Sequence, residues 1–263
     1  MNLDRELEAA IQAAKLAQEA ILEIYAQPFE VEIKSDDSPV TQADKKADDI
    51  IRRHLSLSFP EDGFLTEESV DTGERLNMHR IWIVDPVDGT KEFVSRNGEF
   101  TTNIALCVDH EIVLGIINAP TLGILYYAIK GQGAFRINPD GSIVRIHVSG
   151  RKDRLRAVRS ISFFRENEIA YMNSHIAYFE GEPKPVGAAL KFCAVAEGNA
   201  DFFIRLSENT KEWDVASGDL IMTEAGGFMV RPNGQPYHYN REDVYNRDGY
   251  IMGNYLQHWM LDI

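Results

Sequence analysis

Apolar residues recur every three or four positions along the first 25 residues, a period that favours an amphipathic helix. The predicted helix ends before Pro28, because the residue preceding a proline avoids helical geometry. Its apolar positions are Leu3, Leu7, Ile11, Ala14, Ile21, Leu22 and Tyr25. Residues 30–34 (EVEIK) then alternate between apolar and charged side chains, which predicts a short strand, and residues 35–40 (SDDSPV) have the composition of a turn.

A second helix is predicted to begin at Thr41 and to end near the Phe59-Pro60 pair. Thr41 and Asp44 have the spacing of a capping box, in which each side chain accepts a hydrogen bond from the other residue's backbone N–H. The side chains expected to face inward are Ala43, Ala47, Ile50, Ile51 and Leu55.

A different pattern begins at residue 80. Four compact apolar runs, separated by turn residues, predict strands, and their tight spacing predicts antiparallel neighbours. These runs are 80–85 (RIWIVD), 102–109 (TNIALCVD), 112–120 (IVLGIINAP) and 123–130 (GILYYAIK).

The remainder of the chain predicts alternating helices and strands. Helices are expected at 189–197, 214–225 and 254–261, and strands at 201–206, 227–231 and 249–252. A basic stretch at 151–159 (RKDRLRAVR) separates this part from the first. Alternating helices and sheets predict an α/β (α+β) sandwich of two lobes, residues 1–150 and 151–263, that pack as one unit.

Composition narrows the classes of function. The 263 residues include 27 Lys and Arg against 41 Asp and Glu, a formal net charge of −14, which disfavours nucleic-acid binding and a polybasic membrane surface. No apolar run approaches the roughly 18 residues of a transmembrane segment, and the acidic N-terminus does not resemble a signal peptide. Cys107 and Cys193 are too few for a disulfide framework and are expected in the core. We therefore expect a cytoplasmic protein, monomer or homodimer, with nothing that indicates peripheral association with the inner membrane.

Candidate chemistry centres on residues 85–90 (DPVDGT), directly after the apolar run 80–85. Asp85 lies where this strand is expected to end, and Pro86 cannot donate to a sheet, so the chain is expected to leave the sheet there. A tight turn would bring Asp88 back towards Asp85. Carboxylates with the intervening carbonyl of Val87 are hard oxygen ligands of the kind that Mg²⁺ prefers.

Further residues of the same motif suit a phosphate. Gly89 permits close approach of the backbone, and Thr90 begins a short helical turn whose N–H groups are free. Three more carboxylates follow patterns that are ordinary taken singly: Glu67 in the acidic pair 67–68, and Asp44 and Asp214 at the starts of helices. Together with Asp85 and Asp88 they suggest one acidic site.

These motifs, 66–69 (TEES), 85–90 (DPVDGT) and 213–227 (WDVASGDLIMTEAGG), resemble those of the inositol monophosphatase superfamily of Mg²⁺-dependent, lithium-sensitive phosphomonoesterases. The resemblance extends from residue 38 to the final predicted strand. It implies a layered α-β-α-β-α sandwich of the inositol monophosphatase and fructose-1,6-bisphosphatase type. It also implies a site holding two or three Mg²⁺ ions and a small-molecule phosphate ester as substrate.

The resemblance also implies roles for individual residues. Glu67, Asp85 and the Val87 carbonyl match ligands of a first metal, and Asp85 is shared with a second metal that Asp88 and Asp214 complete. Thr90 and Asp44 match the catalytic pair that orients the attacking water. The residues expected to contact the substrate are Glu67, Val87, Asp88, Gly89, Thr90, Lys91 and Asp214, with the backbone of Gly89 and Thr90 cradling the phosphate.

Two segments resemble one group within the superfamily, the CysQ-type 3′(2′),5′-bisphosphate nucleotidases: 91–93 (KEF) and 190–198 (LKFCAVAEG). This implies hydrolysis of adenosine 3′,5′-bisphosphate to AMP and phosphate, within sulfur assimilation. The chain departs from that group at Gly187-Ala188, where Gly-Ser is usual, and at 159–162, where Ser-Arg-Ser-His is only partly matched. An inositol or sugar phosphatase is the alternative.

A catalytically silent protein on the same fold is a further alternative. It would predict a broken ligand set, whereas every matched acidic position is present. For a bisphosphate, Lys91, Lys191 and the basic stretch 151–159 are the positive charges expected to neutralise the second phosphate.

Overall fold

The computed structural model describes residues 2–33 and 39–255. Its helices are α1 (Asp4–Tyr25), α2 (Gln42–Ser58), α3 (Thr90–Val94), α4 (Glu166–Ser174), α5 (Leu190–Ala196) and α6 (Glu212–Glu224). Its strands are β1 (Val31–Ile33), β2 (Pro39–Thr41), β3 (Gly63–Thr66), β4 (Arg80–Asp88), β5 (Thr101–Val108), β6 (Glu111–Ala119), β7 (Ile124–Ile129), β8 (Gly133–Ile137), β9 (Ile143–Ile146), β10 (Val158–Ser160), β11 (Lys184–Val186), β12 (Phe202–Arg205), β13 (Phe228–Val230) and β14 (Tyr250–Gly253).

A seven-stranded sheet forms the centre of the molecule, in the order β3-β4-β5-β6-β7-β8-β9. β3 is parallel to β4, and every other pair in this sheet is antiparallel. The antiparallel neighbours predicted from residue 80 onward are therefore confirmed. Both faces of the sheet are covered, so its inner strands are apolar almost continuously rather than alternately.

Alternate residues of each strand belong to different cores. Trp82 and Val84 of β4 pack with α1 and α2 on one face, whereas Ile81 and Ile83 pack with α5 and α6 on the other. The period of two along a strand thus separates a hydrophobic layer shared with α1 and α2 from one shared with α5 and α6.

A second sheet, ordered β12-β14-β13, lies beyond α5 and α6. Phe203 and Met252 face α6, while Phe202 and Ile251 face α4. The layers therefore run α1/α2, large sheet, α5/α6, small sheet and α4, which is the α-β-α-β-α sandwich implied by the sequence resemblance. Because α6 lies between two sheets, its sides are apolar nearly all round.

The two predicted N-terminal helices and the strand between them are confirmed, with one change of detail in α1. Its fully buried positions are mostly alanines, whereas Leu7 and Ile11 are only partly buried at the edge. Small side chains let α1 approach α2 closely. The buried alanines are Ala9, Ala10, Ala13, Ala14, Ala17 and Ala20.

Two predictions about where strands begin and end are wrong. Pro39 and Val40 are not part of a turn but belong to β2, which pairs with β1 through Ile33 opposite Pro39. Residues 35–38 of the predicted turn lie outside the described residues. The chain also does not leave the large sheet at Pro86, because a register irregularity between Asp85 and Asp88 absorbs the proline and β4 continues.

Several elements were not predicted. Strands β3, β8 and β9 extend the large sheet, and β10 and β11 form a short parallel pair, with α4 between them in sequence. The predicted helix at 254–261 falls almost entirely on residues 256–263, which lie outside the described residues.

The proposed division at residue 150 stays a prediction. What the structure describes is close packing across it: an added Cβ at Gly115 of β6 would lie 2.8 Å from the Ser217 carbonyl oxygen of α6. The missing side chain lets the helix backbone lie directly on the sheet.

The two cysteines are buried and unpaired, as the sequence predicts. Among the described residues, we find no helix of the length and apolarity needed to cross a bilayer.

The contact between α5 and α6 yields a stability prediction. An added Cβ at Gly218 would lie 2.4 to 2.7 Å from ring atoms of Phe192. Gly218→Ala should therefore destabilise the protein by about 1–3 kcal/mol through overpacking, although alanine favours a helix by about 1 kcal/mol. Urea denaturation measures the change. Gly150→Ala is the control, since its added Cβ meets nothing within 4 Å. Equal stability of the two variants would contradict the close contact.

Candidate active site

A β-bulge brings Asp85 and Asp88 to the same face of the large sheet. Asp85 lies opposite Asn103 and Asp88 opposite Thr101, so three steps along β4 match two steps along β5. Asn103 and Thr101 share a face because side chains alternate along a strand, and their two partners therefore do so too. The Thr101 hydroxyl and the Asn103 amide both donate to Asp88 Oδ2, at 3.4 and 3.3 Å.

Asp214 reaches the same place from the first turn of α6. Its Oδ2 accepts a hydrogen bond from the backbone N–H of Lys211 at 2.6 Å, which caps the helix and orients the carboxylate. One oxygen from each of Asp85, Asp88 and Asp214 lies within 4.8 Å of the others. Among the described residues, this is the one such His, Cys, Asp and Glu group with the spacing of a metal site.

Glu67 follows β3 and lines the same cleft, which encloses about 600 Å³. Its backbone N–H donates to the Val84 carbonyl at 3.2 Å, so the parallel pairing of β3 with β4 extends to this residue. The cleft is also lined by Asp85, Asp88 and Asp214. The sequence-predicted acidic residues are thus brought together by β3, β4 and α6.

Burial and mutual repulsion make these carboxylates difficult to ionise. Burial, and then the charges of Glu67, Asp88 and Asp214, raise the pKa of Asp85 well above its usual range. Burial raises the pKa of Asp88 to about 6, although the Lys191 ammonium opposes that shift. Burial and the charges of Asp88 and Glu67 raise the pKa of Asp214 to about 8. A bound cation would relieve this repulsion.

Asp44 lies behind the cleft and contacts it through Thr90. Its Oδ2 accepts from the Thr41 backbone N–H at 2.8 Å and from the Thr41 hydroxyl at 2.7 Å, which confirms the predicted capping box. Its Oδ1 lies 3.2 Å from the Thr90 hydroxyl, which also lies 3.3 Å from the Val87 carbonyl. Burial raises the pKa of Asp44, and the hydrogen bonds from Thr41 oppose this.

Gly89 connects the acidic residues to α3. Its φ of 86° is left-handed, and an added Cβ would lie 3.0 Å from the Cβ of Ala188, so the position favours glycine on both counts. Val87, Gly89, Thr90 and Lys91 all line the cleft. Every predicted site residue except Asp44 therefore faces this space.

The cleft also contains cations that the sequence reasoning missed: Arg165, Arg205 and Lys211 join the predicted Lys91 and Lys191 along its walls. The Lys91 ammonium lies 4.0 Å from the ring centroid of Phe163, another lining residue. Burial lowers the pKa of Lys191 to about 8. No spacing in the sequence links Arg165, Arg205 and Lys211, because they come from separate elements of the second half of the chain.

The basic stretch 151–159 was expected near the cleft, and this expectation is wrong. None of its residues lines the cleft. Arg156 donates to both oxygens of the buried Asp201, at 2.8 and 2.9 Å, and Arg151 pairs with Glu180. Arg159 lies against the ring of Phe164. Arg151 and Arg156 are therefore paired with acidic residues that are distant in sequence and lie outside the cleft.

The acidic group meets the chemical requirements of a site for a hard divalent cation. Its ligand atoms are oxygens only, since neither cysteine nor histidine belongs to the group. Asp85 is buried and Asp88 and Asp214 are partly buried, and three carboxylates that repel one another suit a doubly charged ion.

Comparison with known proteins agrees with this geometry. The model of the inositol monophosphatase family matches residues 2–262. The chain is 36% identical over 247 residues to the 3′(2′),5′-bisphosphate nucleotidase CysQ of Salmonella typhimurium, an alignment that covers 93% of this chain and 98% of that protein.

Two solved structures share the fold across nearly the whole chain. The crystal structure of CysQ from Bacteroides thetaiotaomicron is 34% identical with a TM-score of 0.85, covering 97% of this chain and all of that one. Extragenic suppressor protein SuhB from Bartonella henselae is 29% identical with a TM-score of 0.82, covering 98% and 99%. On this agreement of sequence, layers and acidic cleft, the chain belongs to the inositol monophosphatase family.

Proposed function

We propose that the protein is a Mg²⁺-dependent 3′(2′),5′-bisphosphate nucleotidase that hydrolyses adenosine 3′,5′-bisphosphate to AMP and phosphate. The observation on which this proposal rests is the charge distribution of one cleft, where five cations lie beside five carboxylates. The cations are Lys91, Arg165, Lys191, Arg205 and Lys211, and the carboxylates are Glu67, Asp85, Asp88, Glu92 and Asp214. Such a cleft suits a substrate with one phosphate at a metal centre and a second anion elsewhere.

The carboxylates of Glu67, Asp85, Asp88 and Asp214, with the Val87 carbonyl, would hold two or three Mg²⁺ ions. When bound, Mg²⁺ neutralises the charge of the transferring phosphoryl group and activates water for attack. The chain itself contributes positioning, which is most of what phosphoryl transfer requires.

Thr90 and Asp44 would orient the attacking water. The Thr90 hydroxyl donates its one proton to Asp44 or to the Val87 carbonyl, so its oxygen is left to accept a hydrogen bond from a water in the cleft. Attack on phosphorus then breaks the ester P–O bond and releases the nucleoside 5′-phosphate. The backbone of Gly89 and Thr90, at the start of α3, would support the phosphate that is released.

The second phosphate would lie among the cations. Lys91 is one residue beyond Thr90, and its ammonium lies over Phe163 at the wall of the cleft. Arg205 is held by the Phe163 carbonyl and by Glu168 at 3.2 Å, so its guanidinium is fixed in position. Curated relatives named 3′(2′),5′-bisphosphate nucleotidase, 33% to 36% identical over more than nine-tenths of this chain, support the same substrate. Cytoplasmic location, lithium sensitivity and a place in sulfur assimilation belong to this proposal as well.

Phosphate release from a panel of substrates tests the proposal. We expect adenosine 3′,5′-bisphosphate to be hydrolysed with Mg²⁺ in preference to inositol 1-phosphate and fructose 1,6-bisphosphate. Asp88→Asn is the negative control, and it should nearly abolish turnover of every substrate because the metal site loses a ligand charge. Preference for inositol 1-phosphate would favour the alternative function, an inositol or sugar phosphatase. Full turnover by Asp88→Asn would show that Asp88 is not a metal ligand.

The raised pKa values predict how the stability of the metal-free protein depends on pH. Asp88 and Asp214 bind protons in the folded state at pH values where the unfolded chain has lost them, so stability should fall as pH rises from 5 to 7.5. Asp219, whose pKa burial raises to about 6, contributes in the same direction. Thermal unfolding with EDTA and with excess Mg²⁺ measures the effect, and Mg²⁺ should flatten most of the slope. Stability that increases with pH in EDTA would contradict the prediction.

Lys91→Ala should impair hydrolysis of the bisphosphate more than hydrolysis of a monophosphate. The variant loses a charge that only the second phosphate needs, so KM should increase more for adenosine 3′,5′-bisphosphate than for inositol 1-phosphate. The difference should shrink at high salt, because salt screens the attraction between charges in an open cleft. Lys130→Ala is the control, since Lys130 pairs with Glu111 outside the cleft. Equal losses on both substrates would show that Lys91 has a structural role.

A further inference from the structure

A buried polar network joins the segment that follows Glu67 to the first turn of α6. We call it the Arg75–Glu212 network, and its members are Arg75, Glu212, Asn240, Arg241 and Asn246. None of the five lines the cleft. Their effect on the active site must therefore pass through the residues that they hold.

Arg75 forms one end of the network. It is 3% exposed, and its Nη1 donates to Asn240 Oδ1 at 2.8 Å while its Nη2 donates to the Arg241 carbonyl at 3.0 Å. Asn240 returns a hydrogen bond to the Arg75 carbonyl at 3.0 Å. Asp71 pairs with the same guanidinium at 2.8 Å. These contacts fix the end of the segment 67–75, whose start is fixed by the bond from Glu67 to β4.

Glu212 forms the other end, two residues before Asp214. It is fully buried, and its carboxylate accepts from the backbone N–H of Asn240 at 2.7 Å and of Arg241 at 2.9 Å. The Arg241 Nε donates to it as well, at 3.0 Å. One carboxylate thus holds the loop at 240–241 against α6 by three hydrogen bonds.

Asn246 also holds the residues at the start of α6. Its backbone N–H donates to the Thr210 carbonyl at 2.7 Å, and its side-chain amide donates to the Lys211 carbonyl at 3.1 Å. Arg241 Nη2 in turn donates to Asn246 Oδ1 at 2.8 Å. The backbone N–H of Lys211 donates to the Asp214 carboxylate, so the network holds the residue that orients this carboxylate.

Stability alone does not account for such a network. A buried ion pair costs desolvation that its attraction often fails to exceed, and apolar residues of similar volume would stabilise the fold as well. What the network does provide is a rigid connection between two chain segments, one ending at Arg75 and carrying Glu67, the other carrying Asp214. Glu67 and Asp214 interact electrostatically within the cleft.

We propose that Arg75 and Glu212 are positioning residues that set the separation of Glu67 from Asp214 and so favour Mg²⁺ over larger cations; this rests on the proposed function of that site. Mg²⁺ needs near-octahedral oxygen geometry at ~2.0–2.1 Å, whereas Ca²⁺ accepts flexible coordination at ~2.3–2.6 Å. Loss of the connection therefore weakens Mg²⁺ binding more than Ca²⁺ binding.

Calorimetric titration of the metal-free full-length protein with Mg²⁺ and with Ca²⁺ tests this. Arg75→Lys keeps the charge but loses the guanidinium group, whose two Nη atoms bond Asn240 and Arg241. Glu212→Gln keeps the shape but turns an amide N–H₂ towards backbone N–H donors. Each variant is expected to weaken Mg²⁺ binding by about tenfold, the lower end for residues that support metal ligands, and Ca²⁺ binding by less than about threefold.

Arg156→Lys is the matched control. It disturbs the pair between the partly exposed Arg156 and the fully buried Asp201, outside the cleft, and should leave both affinities unchanged. Equal weakening of Mg²⁺ and Ca²⁺, or the same selective loss in Arg156→Lys, would overturn the proposal. If Glu212→Gln unfolds below the titration temperature, Arg75→Lys decides. A wild-type protein that binds Mg²⁺ but releases no phosphate from the bisphosphate would refute the proposed function and leave the positioning role standing.

Discussion

Repulsion among the carboxylates of the cleft dictates how the surrounding elements are arranged. Asp85, Asp88 and Asp214 place oxygens within 4.8 Å of one another. Each ionised pair at that distance costs roughly 3 to 4 kcal/mol at the effective dielectric of a protein interior. The fold must therefore hold together three groups that would separate if they were free to move, and it must do so before any cation arrives.

The chain meets this requirement by giving each carboxylate its own local support. Asp85 accepts from the Val87 backbone N–H, Asp88 from two side chains of β5, and Asp214 from the backbone N–H of Lys211. Asp44, behind them, accepts from Thr41. The supporting elements are themselves immobilised, because α6 is enclosed between two sheets and β4 is an inner strand. Layering thus does more than bury apolar surface: it turns flexible acidic side chains into a rigid set of ligands.

How much of this could be predicted depended on how local each feature is. The capping box of Thr41 and Asp44 and the acidic motif at 85–90 lie within a few residues, so the sequence shows them directly. The bulge after Asp85 could not be predicted, because it depends on the register with β5. Arg205 and Lys211 lie in the cleft through long-range folding. Arg151 and Arg156 pair instead with Glu180 and Asp201, which are far away in sequence. Strands of three residues such as β10 and β11 exist only because they pair with each other.

The bulge between Asp85 and Asp88 has a consequence for how this segment can diverge. Because one extra residue returns Asp88 to the face of Asp85, the number of residues between them matters as much as their chemistry. Without the bulge, the step of three residues from Asp85 to Asp88 would turn Asp88 towards α1 and α2, into a layer of apolar side chains. A step of two residues would place both carboxylates on one face by regular alternation. The three-residue spacing and the bulge must therefore be kept together or lost together.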